Sequence, residues 1–302
     1  MRSRALLLPK RHLIPLFDNP AILLHSPAIL LDNPPNPARR NSMKKLVNLF
    51  YRRKGLALRP APPSAFDEQQ RLLGEQPPSV IFDVGGHYGE TVHEYRQRFP
   101  TATIYSFEPF PESFVLLEQA AKRYQNVHAT QAALSDKNGE AEFSVNENSA
   151  TNSLLAVSRD APKHWRGLVE ARGATRVPTV TIDSFCDSHG IDSIDILKLD
   201  AQGGEPLVLR GAERMLGRGA IRLVYVEIIT VPCYAEQLQI DQFLGMMREY
   251  GFSFHNFYDL HSSQSGQLKQ CDTIFVRQND KAFSAENTTN ATPQSSPPQM
   301  VA

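Results

Sequence analysis

Short apolar runs alternate with segments of helical apolar spacing through the middle of the chain. The apolar runs predict buried strands at 80–84, 103–108, 127–134, 195–201 and 221–228. Amphipathic segments such as 111–124, 205–216 and 240–251 predict helices between or after these strands. Strands that alternate with helices are typical of an α/β fold with a mostly parallel sheet covered on both faces.

The last two apolar runs depart from this alternation. FSFHNFYDL (252–260) and DTIFVR (272–277) have no helical segment between them. A short connection favours an antiparallel final pair of strands. Earlier in the chain, AEFSV (141–145) follows the turn DKNG and predicts an outer strand or hairpin arm.

The flanking regions lack this order. Residues 1–78 predict a disordered, basic and proline-rich leader, and residues 280–302 a disordered tail. Met43 is a candidate true start, which leaves residues 1–42 as a candidate untranslated segment. Residues 43–54 (MKKLVNLFYRRK) have the pattern of a basic amphipathic helix that could contact a membrane surface, with a solvated leader as the alternative.

Charge and cysteine content narrow the class of protein. Residues 1–60 hold 12 Lys and Arg but two acids, so the remaining chain is acidic, which argues against a nucleic-acid partner. No apolar run reaches the length of about 18 residues that predicts a transmembrane helix. The three cysteines lie far apart without metal-ligand spacing, so we expect no metal site and a reducing, cytoplasmic location.

Two predicted strands end on acids, Asp83 and Glu108, and a glycine-rich turn, DVGGHYG, follows the first. In an open parallel sheet, ligands bind at the carboxyl ends of strands. Gly85 permits a tight turn and close approach to a ligand. We expect Gly86 and Gly89 to be mainly structural, with Gly89 letting the next helix pack close to the strand, and their backbone to lie near the same ligand. The sequence therefore predicts a ligand crevice at this edge.

The spacing of the two acids indicates the ligand. Glu108 lies 23 residues beyond Gly85, near the offset of about 20 residues at which an acid binds ribose hydroxyls. Asp83 directly before the turn would repel a pyrophosphate and attract a cation. These charges favour S-adenosylmethionine over a nicotinamide dinucleotide.

Several motifs resemble those of FkbM-type methyltransferases. They are FDVGGHYGET (82–91), IYSFEPFPESFVLLEQ (104–119), NSLL (152–155), VTIDSF (180–185) and, most specific, ILKLDAQGGEPLVLRGAERML (196–216). The resemblance covers residues 80–277, although Gly86-His87 stands where the family often has Ala-Asn. It implies a Rossmann-like methyltransferase domain at 79–279, with a seven-stranded, mostly parallel sheet and an antiparallel last strand.

The resemblance also implies an enzyme that uses S-adenosylmethionine to methylate oxygen, with a hydroxyl of a sugar, glycan or secondary metabolite as acceptor. Asp200 ends the fourth strand beside the expected methyl group and is the first candidate for general base. His87 and Glu227 are the next candidates for the general base. The alternatives are that His87 is a surface loop histidine and that Glu227 contacts the acceptor.

Other polar residues are candidates for ligand contacts. Ser135 and Asp136 follow the third strand, where they could contact adenine or form an Asx turn. The candidate acceptor contacts are Asn152, Ser153, Lys198, Gln202 and Glu205. Trp165 could stack on a sugar ring or anchor the core.

Two other functions remain open from the sequence. A nucleotide-dependent oxidoreductase could use the same sheet, but it would favour a basic or neutral turn. A non-catalytic, methyltransferase-like binding protein would be expected to lose the strand-end acids, whereas both are present.

Overall fold

A computed structural model describes residues 63–278 of the 302-residue chain. The helices are α1 (Ala65–Leu73), α2 (Glu90–Arg98), α3 (Pro111–Ala121), α4 (Ala161–His164), α5 (Ile182–His189), α6 (Glu205–Arg210), α7 (Glu213–Gly217) and α8 (Ile240–Glu249). The strands are β1 (Val80–Val84), β2 (Thr103–Phe107), β3 (Val127–Thr130), β4 (Ala133–Leu134), β5 (Gly139–Asn146), β6 (Ala171–Val180), β7 (Ile194–Leu199), β8 (Ile221–Ile229), β9 (Phe252–Ser262) and β10 (Leu268–Arg277). The basic segment 43–54 and the predicted tail lie outside the described residues.

Seven strands form the main sheet in the order β3-β2-β1-β7-β8-β10-β9. The pairings along the sheet are parallel up to β8, and β10 runs antiparallel to both of its neighbours, β8 and β9. This confirms the predicted Rossmann-like sheet and its antiparallel final pair. The strand order reverses at β1, and a crevice opens at the carboxyl edge of a sheet at such a point.

The strand register brings polar residues into rows across this edge. Ser106, Asp83, Lys198 and Tyr225 are neighbours on β2, β1, β7 and β8. Side chains two residues apart share a face of a strand. A second row, two residues closer to the edge, therefore holds Glu108, Gly85, Asp200 and Glu227.

Segment 127–134, predicted as one strand, is divided between two sheets. Residues 127–130 pair with β2 in the main sheet, while Ala133 and Leu134 pair with β6 in a three-stranded sheet of order β4-β6-β5. The amide of Ala132 donates to the carbonyl of Thr130, which turns the chain between the two. The predicted outer strand at 141–145 is confirmed as part of β5, which pairs antiparallel with β6.

Part of the predicted disordered leader is helical. Ser64 caps α1 by accepting a hydrogen bond from the amide of Asp67, as expected for a serine at an N-cap. Leu72 and Leu73 are buried in the apolar cluster that also contains Ile81 and Ile196 of the sheet. The prediction for 1–78 was therefore wrong for 65–73, because burial of this apolar face stabilises the helix.

Apolar clusters cover both faces of the main sheet. Phe82 and Leu197 belong to one cluster, and Ile81 and Ile196 to the other. Alternate residues of each strand thus enter opposite layers, as strand geometry requires. Each such side chain stabilises the fold by about 1.5–3 kcal/mol when fully buried, which fixes the strand ends that form the site.

Trp165 lies at the end of α4 and is buried with Val231 and Tyr234 in a smaller apolar cluster. Lys269 Nζ lies 4.0 Å from the centre of its ring. Trp165 thus packs in the interior of the protein. Within residues 63–278, no helix is long and apolar enough to cross a membrane.

Candidate active site

A cavity of about 280 Å³ opens at the carboxyl edge of β1, β2 and β7. One wall carries the turn after β1 and the acid after β2. The loop after β7 and the segment 149–154 also line the cavity. The predicted site residues that line the cavity are Gly85, Gly86, His87, Glu108, Asn152, Lys198, Asp200 and Gln202.

The glycine-rich turn packs too closely for side chains. A Cβ on Gly85 would lie 2.0 Å from the carbonyl oxygen of Asp200, and Gly85 has a left-handed φ of 75°. A Cβ on Gly89 would lie 2.7 Å from the Cβ of Ala120 on α3. The turn therefore needs glycine for close approach to β7 and to a neighbouring helix, and Gly89 does not line the cavity.

The amides of this turn are already used within the protein. The amides of Gly85 and Gly86 both donate to the carbonyl oxygen of Phe107 at 3.0 Å. The amide of His87 donates to Glu108 Oε2 at 2.9 Å. Three successive amides therefore face β2 and its end. A turn that binds a pyrophosphate would direct its amides to the ligand instead.

Glu108 is buried at the cavity wall. Its second oxygen, Oε1, accepts a hydrogen bond from the amide of Phe110 at 2.9 Å. Burial raises the pKa of Glu108 to about 7, although the two backbone hydrogen bonds oppose this shift. Each carboxylate oxygen keeps a lone pair for a ligand hydroxyl.

Asp83 lies one layer beneath the cavity, fully buried. Ser106 Oγ donates to its Oδ2 at 2.6 Å, and Lys198 Nζ lies 3.3 Å from its Oδ1. Burial alone would lower the pKa of Lys198, but the carboxylates of Asp200 and Asp83 raise it above its ordinary value. Lys198 rather than Asp83 reaches the cavity wall, so the predicted direct contact of Asp83 with a ligand is not what the structure shows.

Asp200 is the half-exposed acid at the cavity, held from two sides. Lys198 Nζ lies 3.4 Å from its Oδ2, and Gln202 Nε2 donates to its Oδ1 at 2.8 Å. The same nitrogen donates to Glu227 Oε2 at 2.8 Å. Burial and the nearby charge of Asp200 raise the pKa of Glu227 well above its ordinary value. Glu227 thus stands behind Gln202 and does not line the cavity.

Three other predicted contacts lie away from the cavity. Glu205 Oε1 accepts the amides of Ala201 and Gly203 at 2.8 and 3.3 Å, and burial raises its pKa to about 7. The amide of Ser135 donates to the carbonyl of Val180, and Asp136 Oδ2 lies 3.9 Å from Arg210 Nε. Ala132, Ala133 and Leu134 line the cavity in their place.

The segment 149–154 forms the outer wall. Ser149 Oγ lies 3.0 Å from His87 Nε2 and 3.1 Å from the Tyr88 hydroxyl, so it joins this wall to the turn after β1. Burial lowers the pKa of His87. Ser153 Oγ donates to the carbonyl of Gln202 at 2.8 Å and does not line the cavity.

Asn152 carries an unsatisfied group at the cavity. Its Oδ1 accepts the amide of Asn146 at 2.8 Å. Because a backbone amide can only donate, this contact fixes which way the side chain points. Asn152 Nδ2 is buried and has no hydrogen-bond partner within residues 63–278. A ligand oxygen would satisfy it.

Ser149 and Tyr234 were not predicted from the sequence. Ser149 sits in a polar stretch without periodicity, so no local signal marks it. The Tyr234 hydroxyl lies 3.0 Å from Gln202 Oε1 and 2.7 Å from the carbonyl of Thr151. An aromatic residue with a polar tip in a loop was the one available signal. Within residues 63–278, no cluster of three or more His, Cys, Asp or Glu could hold a metal ion.

Comparison with known proteins identifies relatives of the chain. The family model described as the methyltransferase FkbM domain matches residues 83–254. A 2-O-methyltransferase, NoeI, of Sinorhizobium fredii (strain NBRC 101917 / NGR234) is 28% identical over 183 residues, which cover 58% of this chain and 73% of that protein.

Solved structures also match. Magnesium protoporphyrin IX methyltransferase of Synechocystis PCC 6803, with bound SAM, is 11% identical over 70% of this chain and 77% of that one, with a TM-score of 0.39. Aeropyrum pernix fibrillarin, with natively bound S-adenosyl-L-methionine, is 14% identical over 66% of each chain, with a TM-score of 0.36. Because both TM-scores are below 0.5, we take the fold from the strand order of the chain itself.

Proposed function

The chain belongs to the FkbM methyltransferase family and is a methyltransferase; from this premise we propose that it transfers a methyl group from S-adenosylmethionine to a hydroxyl oxygen. We propose a sugar, glycan or secondary-metabolite hydroxyl as the acceptor. The observation that carries the proposal is a cavity lined by Glu108, the turn at Gly85 and Asp200, which follow adjoining strands of the sheet.

The charges of the cavity fit a cationic nucleoside. Its wall includes the acids Glu90, Glu108 and Asp200. The ammonium of Lys198 is paired with two carboxylates. A sulfonium and an ammonium would be attracted to these acids, whereas a pyrophosphate would meet repulsion. This replaces the prediction from Asp83, whose charge is neutralised beneath the cavity.

The polar groups of the cavity suggest how the chain would hold the methyl donor. Glu108 would accept hydrogen bonds from the two ribose hydroxyls. Asn152 Nδ2, which has no hydrogen-bond partner among residues 63–278, would donate to an oxygen of the bound ligands. The apolar residues Ala133, Leu134 and Phe143 would contact the adenine ring.

When bound, S-adenosylmethionine supplies an electrophilic methyl group. The residues of the cavity would hold the acceptor oxygen in line with it and exclude water, and such positioning is worth up to about 7–11 kcal/mol of the barrier. Asp200 would take the proton of the acceptor hydroxyl as the bond forms. General-base catalysis of this kind contributes about 10²–10⁴-fold.

A relative supports oxygen as the methylated atom. The protein of 28% identity is named a 2-O-methyltransferase, which favours oxygen as the methylated atom here. The free, buried state of Cys186, Cys233 and Cys271 is consistent with the reducing, cytoplasmic location that we propose for the reaction.

The choice of cofactor is tested by isothermal titration with S-adenosylhomocysteine and with NAD. We expect binding of S-adenosylhomocysteine alone, because the amides of the turn are committed to β2. Binding of NAD in its place would refute the methyl-donor assignment and favour the oxidoreductase alternative. Glu108→Ala should weaken S-adenosylhomocysteine binding, because the predicted ribose contact would be lost.

The reaction is tested by transfer of a tritiated methyl group to a panel of sugars, glycans and small metabolites. Asp200→Asn should keep S-adenosylhomocysteine binding and lose turnover by at least about 10²-fold. Asp241→Asn, on the exposed first turn of α8, is the matched control and should retain full turnover. Full activity of Asp200→Asn would exclude Asp200 as the base, and absence of turnover with every acceptor would favour the binding-protein alternative.

A further inference from the structure

Gln202 adopts an unusual backbone conformation beside Asp200. It lies in the loop between β7 and α6 with a φ of 52°, in the left-handed region that non-glycine residues rarely occupy. Ser153 Oγ donates to its carbonyl oxygen at 2.8 Å. The loop is thus held in this conformation from the outer wall of the cavity.

The side chain of Gln202 is fully engaged within the protein. Its amide nitrogen has two N–H groups, and it lies 2.8 Å from both Asp200 Oδ1 and Glu227 Oε2. Its Oε1 lies 3.0 Å from the Tyr234 hydroxyl. The nitrogen faces Asp200 Oδ1, which accepts from it. The single hydrogen of the Tyr234 hydroxyl is shared between Gln202 Oε1 and the nearer carbonyl oxygen of Thr151. A direct bond from Gln202 to an acceptor would require release of Asp200.

We propose that Gln202 is a positioning residue that orients the Asp200 carboxylate and favours its ionised form, rather than an acceptor contact. A hydrogen bond donated to a carboxylate stabilises the charged state and fixes the rotation of the carboxyl group. Glu227 anchors the far side of the amide, and Tyr234 holds its oxygen. The inference deepens the proposed function and rests on Asp200 as the general base.

Other charged groups surround Asp200. They come from the β1–α2 turn, β7, β8, α6 and β10, and are His87, Lys198, Glu227, Glu205 and Asp272. Among these, Lys198 pairs with Asp200 from the Oδ2 side. A variant of Gln202 keeps these charged groups and removes the hydrogen bond to Asp200 Oδ1 together with the one to Glu227 Oε2.

The variant Gln202→Leu removes both N–H groups with little change in volume. Gln270→Leu is its matched control, because Gln270 Nε2 donates to the other oxygen of Glu227, Oε1, at 3.0 Å. Both variants take an amide from Glu227, but only the first takes one from Asp200. Tyr234→Phe removes the hydroxyl from Gln202 Oε1 and serves as a milder second variant.

We expect Gln202→Leu to lower kcat about 10- to 100-fold, the loss typical of a hydrogen bond to a charged group. KM and S-adenosylhomocysteine affinity should stay within about twofold. The acidic limb of the pH–rate profile should move to higher pH by about one unit. Gln270→Leu should keep kcat within about twofold, and Tyr234→Phe should show a smaller loss with the same direction of pH shift.

A readout without turnover completes the test. The ¹³C NMR titration of the Asp200 carboxyl, assigned with Asp200→Asn, should show a higher midpoint in Gln202→Leu than in the parent protein, and circular dichroism should show both folded. An unchanged midpoint, or an equal loss of kcat in Gln270→Leu, would overturn the positioning role. If Gln202→Leu does not fold, Gln202→Met, which also lacks both N–H groups, decides, and an unmoved midpoint in that variant overturns the role. A moved midpoint in a protein without methyl transfer would refute the proposed function while the positioning contact stands.

Discussion

The ammonium of Lys198 is buried among the strand ends, where we expect it to stabilise the fold. Removing it tests this expectation through the free energy of unfolding. Its side chain is 8% exposed and that of Asp83 is 0% exposed. Besides two carboxylates, the ammonium contacts the carbonyl oxygens of Val84 and Gly85 at 3.3 and 3.1 Å. Lys198→Met keeps most of the side-chain volume but leaves Asp83 with a single side-chain partner, Ser106.

The expected loss can be estimated from this geometry. Removing one partner of a buried ion pair lowers the free energy of unfolding by about 3–5 kcal/mol. In a domain of this size, 1 kcal/mol shifts Tm by about 2–4 °C, so Lys198→Met should lower Tm by about 6–20 °C. Asp83→Asn should lower the unfolding free energy by only about 1–2 kcal/mol, because Lys198 keeps Asp200 and both carbonyls.

The assay is urea and thermal unfolding of both single variants and the double variant. We expect the double variant to be less destabilised than the sum of the singles by at least about 1 kcal/mol. Lys163→Met is the control, because Lys163 makes an exposed ion pair with Asp160, and its Tm should not change. A loss below about 1 kcal/mol in Lys198→Met, or additivity of the singles, would refute a buried pair that stabilises this edge.

The remaining predictions concern the turn after β1 and the cavity walls. Burial raises the pKa of Glu108 to about 7, and the ionised carboxylate is the better acceptor for ribose hydroxyls. Calorimetry should therefore show that the affinity for S-adenosylhomocysteine rises from about pH 6 to about pH 8 and then levels off. Glu108→Gln should bind S-adenosylhomocysteine about 10-fold more weakly, with little pH dependence. Gly86→Ala should lower the unfolding free energy by about 1–3 kcal/mol, because its Cβ would lie 2.2 Å from Ser106 Oγ; Gly245→Ala, with open space in α8, should raise it by about 0.5–1 kcal/mol in the same urea titration. Ser149→Ala should speed dissociation of S-adenosylhomocysteine several-fold in stopped-flow measurements, since the outer wall loses its contacts with His87 and Tyr88; an unchanged rate would show that these contacts do not retain the ligand.

The strands of the main sheet could be predicted because their burial leaves continuous apolar runs. VIFDV and DILKL are buried along nearly their whole length, and this burial requires apolar residues at successive positions. Strand β6 could not be predicted in the same way. Residues 171–176 are mostly exposed, so their sequence shows no apolar alternation. Its position depends on pairing with β5, which is a contact distant in sequence.

The residues that line the cavity could be predicted from the sequence where the end of a strand is enough to place them there. Glu108 and Asp200 line the cavity because each directly follows a parallel strand. Asp83 shows the limit of this reasoning. It also lies at a strand end, but the register sets it beside Ser106 and Lys198, and their side chains enclose it. Neither neighbour can be assigned to Asp83 without knowing the strand order.

The helix α1 was missed although its local signals were present. Ser64 is a favourable N-cap, and Asp67 and Glu68 lie in the first turn, as helix starts prefer. The prolines of 60–63 and 77–78 enclose these nine residues and indicate linker on both sides. A segment this short is stable as a helix only through packing, and the elements it packs against, β10 and α2, lie later in the chain.

The three-stranded sheet and the outer wall both belong to the stretch between β3 and β7, whereas Gly85, Glu108 and Asp200 are rooted in the ends of the main strands. The outer wall, segment 149–154, could therefore change in evolution while the strand-end residues proposed to hold the methyl donor stay the same. A chimera that takes residues 147–170 from a relative, with Ser149 and Asn152 kept, is expected to inherit that relative's acceptor preference and to retain this chain's affinity for S-adenosylhomocysteine. Loss of that affinity in a folded chimera would show that the exchanged segment also contributes to binding of the methyl donor.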